Sequence, residues 1–224
     1  MYCRGQWHPL PAAAAITAPF IVFDAFLRGL KDWLLRPIAR VVGTRIHPNV
    51  ITISAWLVGL LAAVAAGRSD FHSALGLWLA NRVLDGFDGT LSRVTGTQTD
   101  FGGYLDIVLD FSVYAMVVVG LVIGNHTWPT TGAGSVLIAT FYVNAASWMY
   151  LAAILEKRES GATATGEDTT VTMPPGFIAG TETFVFYVLF LLFPANLPLL
   201  FTVMSIGVVA TIVQRIAWAR HWLA

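Results

Sequence analysis

Residues 84–110 read LDGFDGTLSRVTGTQTDFGGYLDIVLD, and the rest of the chain is arranged around them. Two pairs of aspartates fall within 26 residues of this segment, namely Asp85 with Asp88 and Asp106 with Asp110. On helices, the first two share a face at spacing i, i+3, and the last two share a face at spacing i, i+4. Two antiparallel helices that present these faces to each other would gather all four carboxylates. The segment therefore predicts a carboxylate site between two helices.

An acidic cluster of this kind needs cations, because the chain around it is strongly apolar. The 224 residues are 56% hydrophobic and 12% charged, with a formal net charge of zero. Unpaired carboxylates repel one another in such a low-dielectric setting. Oxygen ligands favour hard divalent ions, and four carboxylates suffice for two of them. We predict two divalent cations, Mg²⁺ or Mn²⁺, held by the four aspartates.

Glycines lie beside these acids, and the spacing of the whole group resembles that of a known family. Gly89 and Gly102 remove side chains where a bulky phosphorylated ligand would approach. The pattern from Asp85 to Asp110, DxxDGxxSRx8GxxxDxxxD, is similar to the signature of the CDP-alcohol phosphotransferases. Those integral membrane enzymes join two alcohols through a phosphate and release CMP. The one departure is Ser92, where that family usually carries alanine.

The resemblance implies roles for individual residues. Asp110 is implied to be the general base that takes the proton of the acceptor hydroxyl, in addition to binding metal. Arg93 would pair with a donor phosphate through a planar fork that lysine does not offer. Contacts to the CDP donor are expected from Pro48, Asn49, Val50, Ile51, Asp85, Gly89, Ser92, Arg93 and Thr99. The resemblance also implies a homodimer.

Further residues are expected near the acceptor or in support of the site. They are Gly102, Lys157, Arg158, Glu182 and Arg215. The positive-inside bias of membrane proteins also explains the basic members of this group. A glutamate in the first turn of a helix is commonly only stabilised by the helix dipole.

Composition predicts an all-α polytopic membrane protein, because soluble domains carry about a quarter charged residues. Six membrane spans, each predicted from a run of apolar residues, are expected at 49–66, 71–93, 101–123, 135–155, 180–193 and 197–218. They belong to a catalytic domain, residues 47–224. Residues 21–46 are expected to form an amphipathic helix in the membrane interface, and residues 1–20 a cytoplasmic leader.

Basic residues predict the orientation of the spans. Of the 13 lysines and arginines, Arg68 alone falls on the side opposite to the acidic cluster. The positive-inside rule then places the active site and both termini in the cytoplasm, and we expect a bacterial inner membrane location. The polar stretch 160–175, on the same side, is either a lid or a flexible connector. A neutral chain has no electrostatic footprint for nucleic acid.

The expected reaction transfers a phosphatidyl group from CDP-diacylglycerol, or uses another CDP-alcohol donor, with a small alcohol as acceptor. Glycerol 3-phosphate is the leading acceptor, and inositol phosphate, serine and phosphatidylglycerol compete with it. Diacylglycerol with a CDP-amino-alcohol donor is a further alternative. A divalent-cation transporter, a different class, would also carry acids in membrane helices. Gly89, Ser92 and Arg93 have no use in cation passage, so they favour the enzyme.

Overall fold

The computed structural model describes residues 34–43, 46–158 and 176–223, and every regular element in these ranges is helical. In chain order the helices are α1 (Pro48–Gly67), α2 (Phe71–Thr95), α3 (Asp100–Asn125), α4 (Trp128–Lys157), α5 (Gly180–Leu192) and α6 (Leu197–Leu223). A 3₁₀ turn, Pro194–Asn196, precedes α6, and residues 34–42 form a shorter helix before α1. The all-α prediction is confirmed.

Several of these helices have the length and apolarity of membrane spans. Four candidates are found among the described residues: α1, α3, α4 and the segment Pro194–Arg220, which contains most of α6. The 13 residues of α5 rise only about 20 Å, against a hydrocarbon core of about 30 Å. Leu57, Leu61 and Ile206 are more than half exposed on the outer surface, as lipid-facing side chains are. The chain is an integral membrane protein.

The first three helices are organised by α1, which packs along both α2 and α3, whereas α4 pairs with α6. A Cβ added at Gly120 or Gly124 of α3 would collide with the carbonyl oxygens of Ala63 and Ala66 in α1. Small residues of this kind let membrane helices approach backbone to backbone. The far end of α3 is therefore fixed tightly against α1.

An aromatic core joins α5 to α2 and α3. The side chains of Trp78, Tyr187, Phe190 and Phe201 are fully buried. Trp78 stacks on Tyr187 with 4.7 Å between ring centroids. The Tyr187 hydroxyl donates a hydrogen bond of 2.8 Å to the carbonyl oxygen of Tyr114 in α3. Because the rings interlock, the middle of α2 is held in place close to the acidic segment.

Caps define both ends of the loop that joins the two acid-bearing helices. α2 ends at Gly96, whose left-handed φ of 66° suits a residue without a side chain. α3 begins after Thr99, whose hydroxyl accepts a hydrogen bond from the Gly102 amide at 3.0 Å. The short connection makes α2 and α3 antiparallel.

The start of α2 is capped as well. Hydrogen bonds from Ser73 to the capping carboxyl of Asp70 lower the pKa of that exposed group.

The start of α4 corrects the sequence prediction. Residues 125–134 were expected to form a loop before a span beginning at Ser135, but α4 begins at Trp128. The Thr127 hydroxyl accepts a hydrogen bond from the Thr130 amide. Pro129 lies in the first turn, where its missing N–H would have had no helical partner. Proline and threonine here mark a helix start, not a loop.

Three predicted regions fall wholly or partly outside the described residues. The leader 1–20 and the polar stretch 160–175 lie outside them. Of the segment 21–46, residues 34–42 are helical, and Ala39 packs against Phe87 and Leu91 of α2. This short helix therefore covers the end of α2 that follows the first acid pair.

Candidate active site

The four aspartates lie towards the end of α2 and in the first half of α3. Asp85 and Asp110 lie near each other, because both contact the guanidinium of Arg82, and the charge of Asp106 acts on Asp85. Asp88 lies near Asp85 and beside the Thr52 side chain of α1. α2 and α3 pack along α1 more than against each other. The contacts between their acidic faces are therefore made by side chains, such as Arg82 of α2 and Asp110 of α3.

Arg82 lies among these acids, although the sequence analysis did not place it in the site. Its Nη2 donates to Asp110 Oδ1 at 2.6 Å, and its Nη1 donates to Asp110 Oδ2 at 3.2 Å. Nη1 is also 3.6 Å from Asp85 Oδ2. Paired hydrogen bonds between guanidinium and carboxylate are strong and directional. Arg82 thus neutralises part of the acidic charge and fixes the plane of the Asp110 carboxylate.

The guanidinium of Arg82 is itself held on several sides. Nη1 donates to the Tyr114 hydroxyl at 2.9 Å, and Nε donates to Asn81 Oδ1 at 2.7 Å. Asn81 in turn donates to the carbonyl oxygen of Ala55 in α1 at 2.8 Å. The guanidinium carbon lies 4.8 Å from the Trp78 ring and 5.0 Å from the Tyr114 ring. Rings at these distances attract the cation.

The donor set fits hard divalent cations, while its arrangement is not that of a formed metal centre. Across the ranges 34–43, 46–158 and 176–223, no three His, Cys, Asp or Glu side chains converge as ligands of one ion. Arg82 explains part of this, because it holds both oxygens of Asp110. Asp88 is 5% exposed and its Oδ2 has no hydrogen-bond partner among the described residues. A buried carboxylate oxygen in this state is costly unless a cation satisfies it.

Two of the residues predicted to bind the donor, Asn49 and Thr99, come together beside Gly102 at the start of α3. A Cβ added at Gly102 would lie 3.1 Å from Thr99 Oγ1 and 3.3 Å from Asn49 Oδ1. His47 caps α1 by accepting a hydrogen bond from the Asn49 amide at 3.2 Å, so the Asn49 side chain does not serve as the cap. The Asn49 side chain therefore faces α3.

Gly89 and its neighbours form a second part of the predicted donor site. Arg93 folds back along α2, so that a Cβ at Gly89 would lie 3.3 Å from Arg93 Nη1. Arg93 Nη2 donates to Thr90 Oγ1 at 3.4 Å. The Ser92 hydroxyl donates to the Gly89 carbonyl oxygen at 3.0 Å. The serine found in place of alanine is therefore satisfied within its own helix.

The other predicted residues at the start of α1 differ in exposure. Pro48 is buried and Val50 is exposed. Ile51 packs on the small cluster that contains Phe87 and Leu91. This packing of Ile51 places the start of α1 beside the acid-bearing end of α2.

Two of the residues expected near the acceptor have structural contacts of their own. Glu182 Oε2 accepts a hydrogen bond from the Ala179 amide at 3.0 Å, which caps α5. Arg158, the residue after α4, donates to the Leu223 carbonyl oxygen at 3.2 Å. Lys157 lies in the last turn of α4. The end of α4 is therefore basic and is tied to the end of α6.

Arg215 of α6 is buried beside neutral groups. It is 6% exposed, and its Nη1 donates to Asn144 Oδ1 and Ser147 Oγ of α4, both at 2.8 Å. No carboxylate of the described residues forms an ion pair with it, and its Nε is buried without a hydrogen-bond partner there. A buried cation without a counter-ion is costly, so this guanidinium is suited to receive an anion.

A sequence signal for Arg82 existed. Arg82 precedes Asp85 by three residues, a spacing that places both on one helix face. The same reasoning connects Tyr114 to Asp110, four residues earlier. The sequence analysis counted Arg82 only towards membrane orientation, so its contacts with the acids were missed.

Comparison with known proteins identifies the family of this chain. The CDP-alcohol phosphatidyltransferase family model matches residues 45–217. The inner membrane protein YnjF of Escherichia coli K12 is 34% identical over 150 residues, which are 67% of this chain and 71% of that protein. Archaetidylinositol phosphate synthase of Pyrococcus horikoshii is 31% identical over 110 residues, 47% of this chain and 58% of that protein.

A solved structure shares the fold. The phosphatidylinositol phosphate synthase of Mycobacterium tuberculosis with CDP-DAG bound has a TM-score of 0.64 at 21% identity, covering 81% of this chain and 90% of that one. The same enzyme was solved in complex with manganese and citrate, with a TM-score of 0.63. At this identity the likeness concerns the fold alone, whereas the family match covers most of the chain. The chain therefore belongs to the CDP-alcohol phosphatidyltransferase family, whose members are membrane phosphotransferases.

Proposed function

We propose that this enzyme transfers the phosphatidyl group of CDP-diacylglycerol to the hydroxyl of a small acceptor that carries its own phosphate. The family supports the chemistry, and the four neighbouring aspartates provide a place for it. The choice of acceptor rests on one observation, the buried Arg215 without an acidic partner among the described residues. Phosphate is the anion that a guanidinium binds with matched geometry.

The reaction forms one P–O bond and breaks another. The acceptor oxygen bonds to the phosphorus that carries diacylglycerol, the pyrophosphate bond to that phosphorus breaks, and CMP leaves. The acceptor proton passes to a carboxylate oxygen of Asp110. Two divalent cations, Mg²⁺ or Mn²⁺, held by the four aspartates, would neutralise the phosphates and the departing CMP. Structures of the mycobacterial relative hold manganese in one case and CDP-DAG in another. They support a divalent cation as cofactor and CDP-diacylglycerol as donor.

The chain's own residues bind and orient the donor. Asn49 and Thr99 beside Gly102 would hold the nucleotide, and Gly89 would let it approach the backbone of α2 closely. Arg93 would turn from Thr90 to a donor phosphate, which is the stronger acceptor. The remaining proposed donor contacts are Pro48, Val50, Ile51, Asp85 and Ser92.

The acceptor phosphate would lie between α4 and α6. Arg215 would bind it directly, with Asn144 and Ser147 holding the guanidinium in place. Lys157 and Arg158 add positive charge at the end of α4. Both inositol phosphate and glycerol 3-phosphate satisfy this arrangement, and the archaetidylinositol phosphate synthase relative favours the first. Serine, without a phosphate, would not use Arg215 in this way.

The proposed membrane arrangement has six spans, with α2 and α5 crossing alongside the four longer apolar helices. The active site and both termini would face the cytoplasm, residues 1–20 would be a leader, and residues 21–46 an interfacial helix. The helical residues 34–42 support the last assignment, and the relative from the Escherichia coli inner membrane supports the location. A homodimer, implied by the family resemblance, is part of the same proposal.

Release of CMP from CDP-diacylglycerol tests this function. Purified protein in detergent, with Mn²⁺ or Mg²⁺, would be given inositol phosphate, glycerol 3-phosphate, inositol, glycerol or serine, one at a time. We expect CMP only with a phosphate-bearing acceptor, and no CMP from an Asp110→Asn variant. Rates of CMP release with serine or free inositol that equal the rates with the phosphate-bearing acceptors would overturn the acceptor assignment. If no CMP is released, and the protein reconstituted in lipid vesicles shows cation flux that is indifferent to CDP-linked lipids, a transporter would be favoured.

A further inference from the structure

Arg82 contacts two of the four aspartates at the centre of the proposed site. It forms the paired hydrogen bonds with Asp110 and lies 3.6 Å from Asp85. Its single positive charge is shared between the two carboxyl groups of Asp85 and Asp110, so it compensates this pair only in part. Divalent cations and Arg82 therefore compete for the same oxygens.

The position of Arg82 is constrained far more than that of a surface arginine. Its side chain is 11% exposed, it lies near the rings of Trp78 and Tyr114, and it donates to the Tyr114 hydroxyl. The Nε–Asn81 hydrogen bond connects it to α1. A guanidinium held by its edge and its faces presents its fork to Asp110 in one orientation.

We propose that Arg82 is a positioning residue, a resident counter-cation that orients the Asp110 carboxylate and weakens the affinity of the acidic cluster for divalent cations. The inference rests on the proposed function, in which Asp110 accepts the proton. An ion that takes Asp110 as a ligand must use a carboxylate oxygen that Arg82 already contacts. The positive charge of Arg82 also repels a nearby divalent ion. Its removal should therefore tighten cation binding while it slows the reaction.

Two substitutions separate the charge of Arg82 from its geometry. Arg82→Gln removes both the charge and the fork, whereas Arg82→Lys keeps the charge and loses the fork. Arg68→Gln is the matched control, because Arg68 is an exposed arginine that follows α1. Mn²⁺ affinity would be measured from the electron paramagnetic resonance signal of free Mn²⁺, without any lipid substrate. Initial rates of CMP release would give kcat and the KM for the donor.

We expect Arg82→Gln to bind Mn²⁺ about tenfold more tightly than the wild type. Its kcat should fall by roughly 10²-fold, with the donor KM nearly unchanged, because the base is misplaced and the donor contacts remain. Arg82→Lys should lose activity to a similar degree but keep wild-type Mn²⁺ affinity. Arg68→Gln should match the wild type in all three quantities.

Weaker Mn²⁺ binding in Arg82→Gln, or unchanged binding and unchanged kcat, would overturn the inference. If Arg82→Gln does not fold, Arg82→Lys and Tyr114→Phe still test it. Tyr114→Phe removes one hydrogen-bond partner of the guanidinium, so kcat should fall severalfold at constant Mn²⁺ affinity. An unchanged kcat in both Arg82→Lys and Tyr114→Phe contradicts the positioning role. A wild type that binds Mn²⁺ but releases no CMP overturns the proposed function. The Mn²⁺ affinities of the wild type and the Arg82 variants still test whether Arg82 weakens cation binding.

Discussion

Arg82 and Arg215 are both largely enclosed by the described helices, and their surroundings differ in one decisive respect. Arg82 of α2 lies against the carboxylates of Asp110 and Asp85, whereas the partners of Arg215 in α6 are the neutral Asn144 and Ser147. A buried guanidinium costs free energy until an anion compensates it. The protein supplies that anion to Arg82, and we infer that a substrate supplies it to Arg215. One arginine organises the acids, and the other recognises a ligand.

The largest effect is expected at the partner of Arg82. Asp110→Asn removes the proposed base while keeping the side-chain shape, so CMP release should fall by roughly 10²- to 10⁴-fold. The measurement is kcat at saturating donor and acceptor. Asp100→Asn, at an exposed acid in the first turn of α3, is the matched control and should stay near the wild-type rate. An Asp110→Asn variant that keeps half of the wild-type activity would remove Asp110 from the chemistry.

The next effect separates the two arginines by stability. Without divalent cations, Arg82→Met should lower the free energy of unfolding by about 3 kcal/mol, because it leaves Asp110 without its counter-ion. Arg215→Met should be neutral or slightly stabilising, since no acid of the described chain loses a partner. Equilibrium unfolding in detergent, followed by circular dichroism, would measure both. Added Mn²⁺ should restore stability to Arg82→Met. If Arg215→Met had the lower free energy of unfolding, the proposed difference between the two arginines would be contradicted.

A smaller effect is expected in the binding of the acceptor. Arg215→Gln should raise the KM for a phosphate-bearing acceptor by about tenfold to a hundredfold, the value of a charge-assisted hydrogen bond. The donor KM should not change. Arg220→Gln substitutes an exposed arginine further along α6 and should leave both constants unaltered. Equal increases for phosphate-bearing and phosphate-free acceptors would show that Arg215 supports the helices and not the ligand.

The smallest effect concerns the aromatic support beside Arg82. Tyr187→Phe deletes the hydrogen bond to the Tyr114 carbonyl but keeps the ring stacked on Trp78. The free energy of unfolding should fall by about 1 kcal/mol, and kcat should change little. Tyr104→Phe, at an exposed tyrosine, serves as the control. A large loss of kcat in Tyr187→Phe would give α5 a direct part in aligning the site.

Local sequence patterns predicted much of the fold and the place of the acids. The helical spacing of the aspartates and the apolar stretches between polar turns are properties of neighbouring residues, which periodicity reports directly. The start of α4 was mispredicted because Pro129 is compatible with a loop and with a first helical turn. The hydrogen bond that the Thr127 hydroxyl accepts from the Thr130 amide distinguishes the helical turn from a loop.

Contacts between distant helices could not be predicted in the same way. The pairing of Arg215 with Asn144 depends on α4 lying beside α6, which no local pattern specifies. Arg82 was overlooked for a different reason, because the positive-inside rule already explained its charge. A residue can serve topology and site chemistry together, and here only the geometry distinguished these roles.

The central claim is that the acceptor hydroxyl attacks the phosphorus that carries diacylglycerol. The most direct measurement uses inositol phosphate or glycerol 3-phosphate labelled with ¹⁸O at the attacking hydroxyl, with CDP-diacylglycerol, Mn²⁺ and purified protein, and analyses the products by mass spectrometry. We expect the label in the new phosphodiester lipid and unlabelled CMP, with neither product formed by Asp110→Asn. Label in a cytidylyl ester of the acceptor, with phosphatidic acid as the second product, or CMP formed without any labelled lipid, would contradict the account.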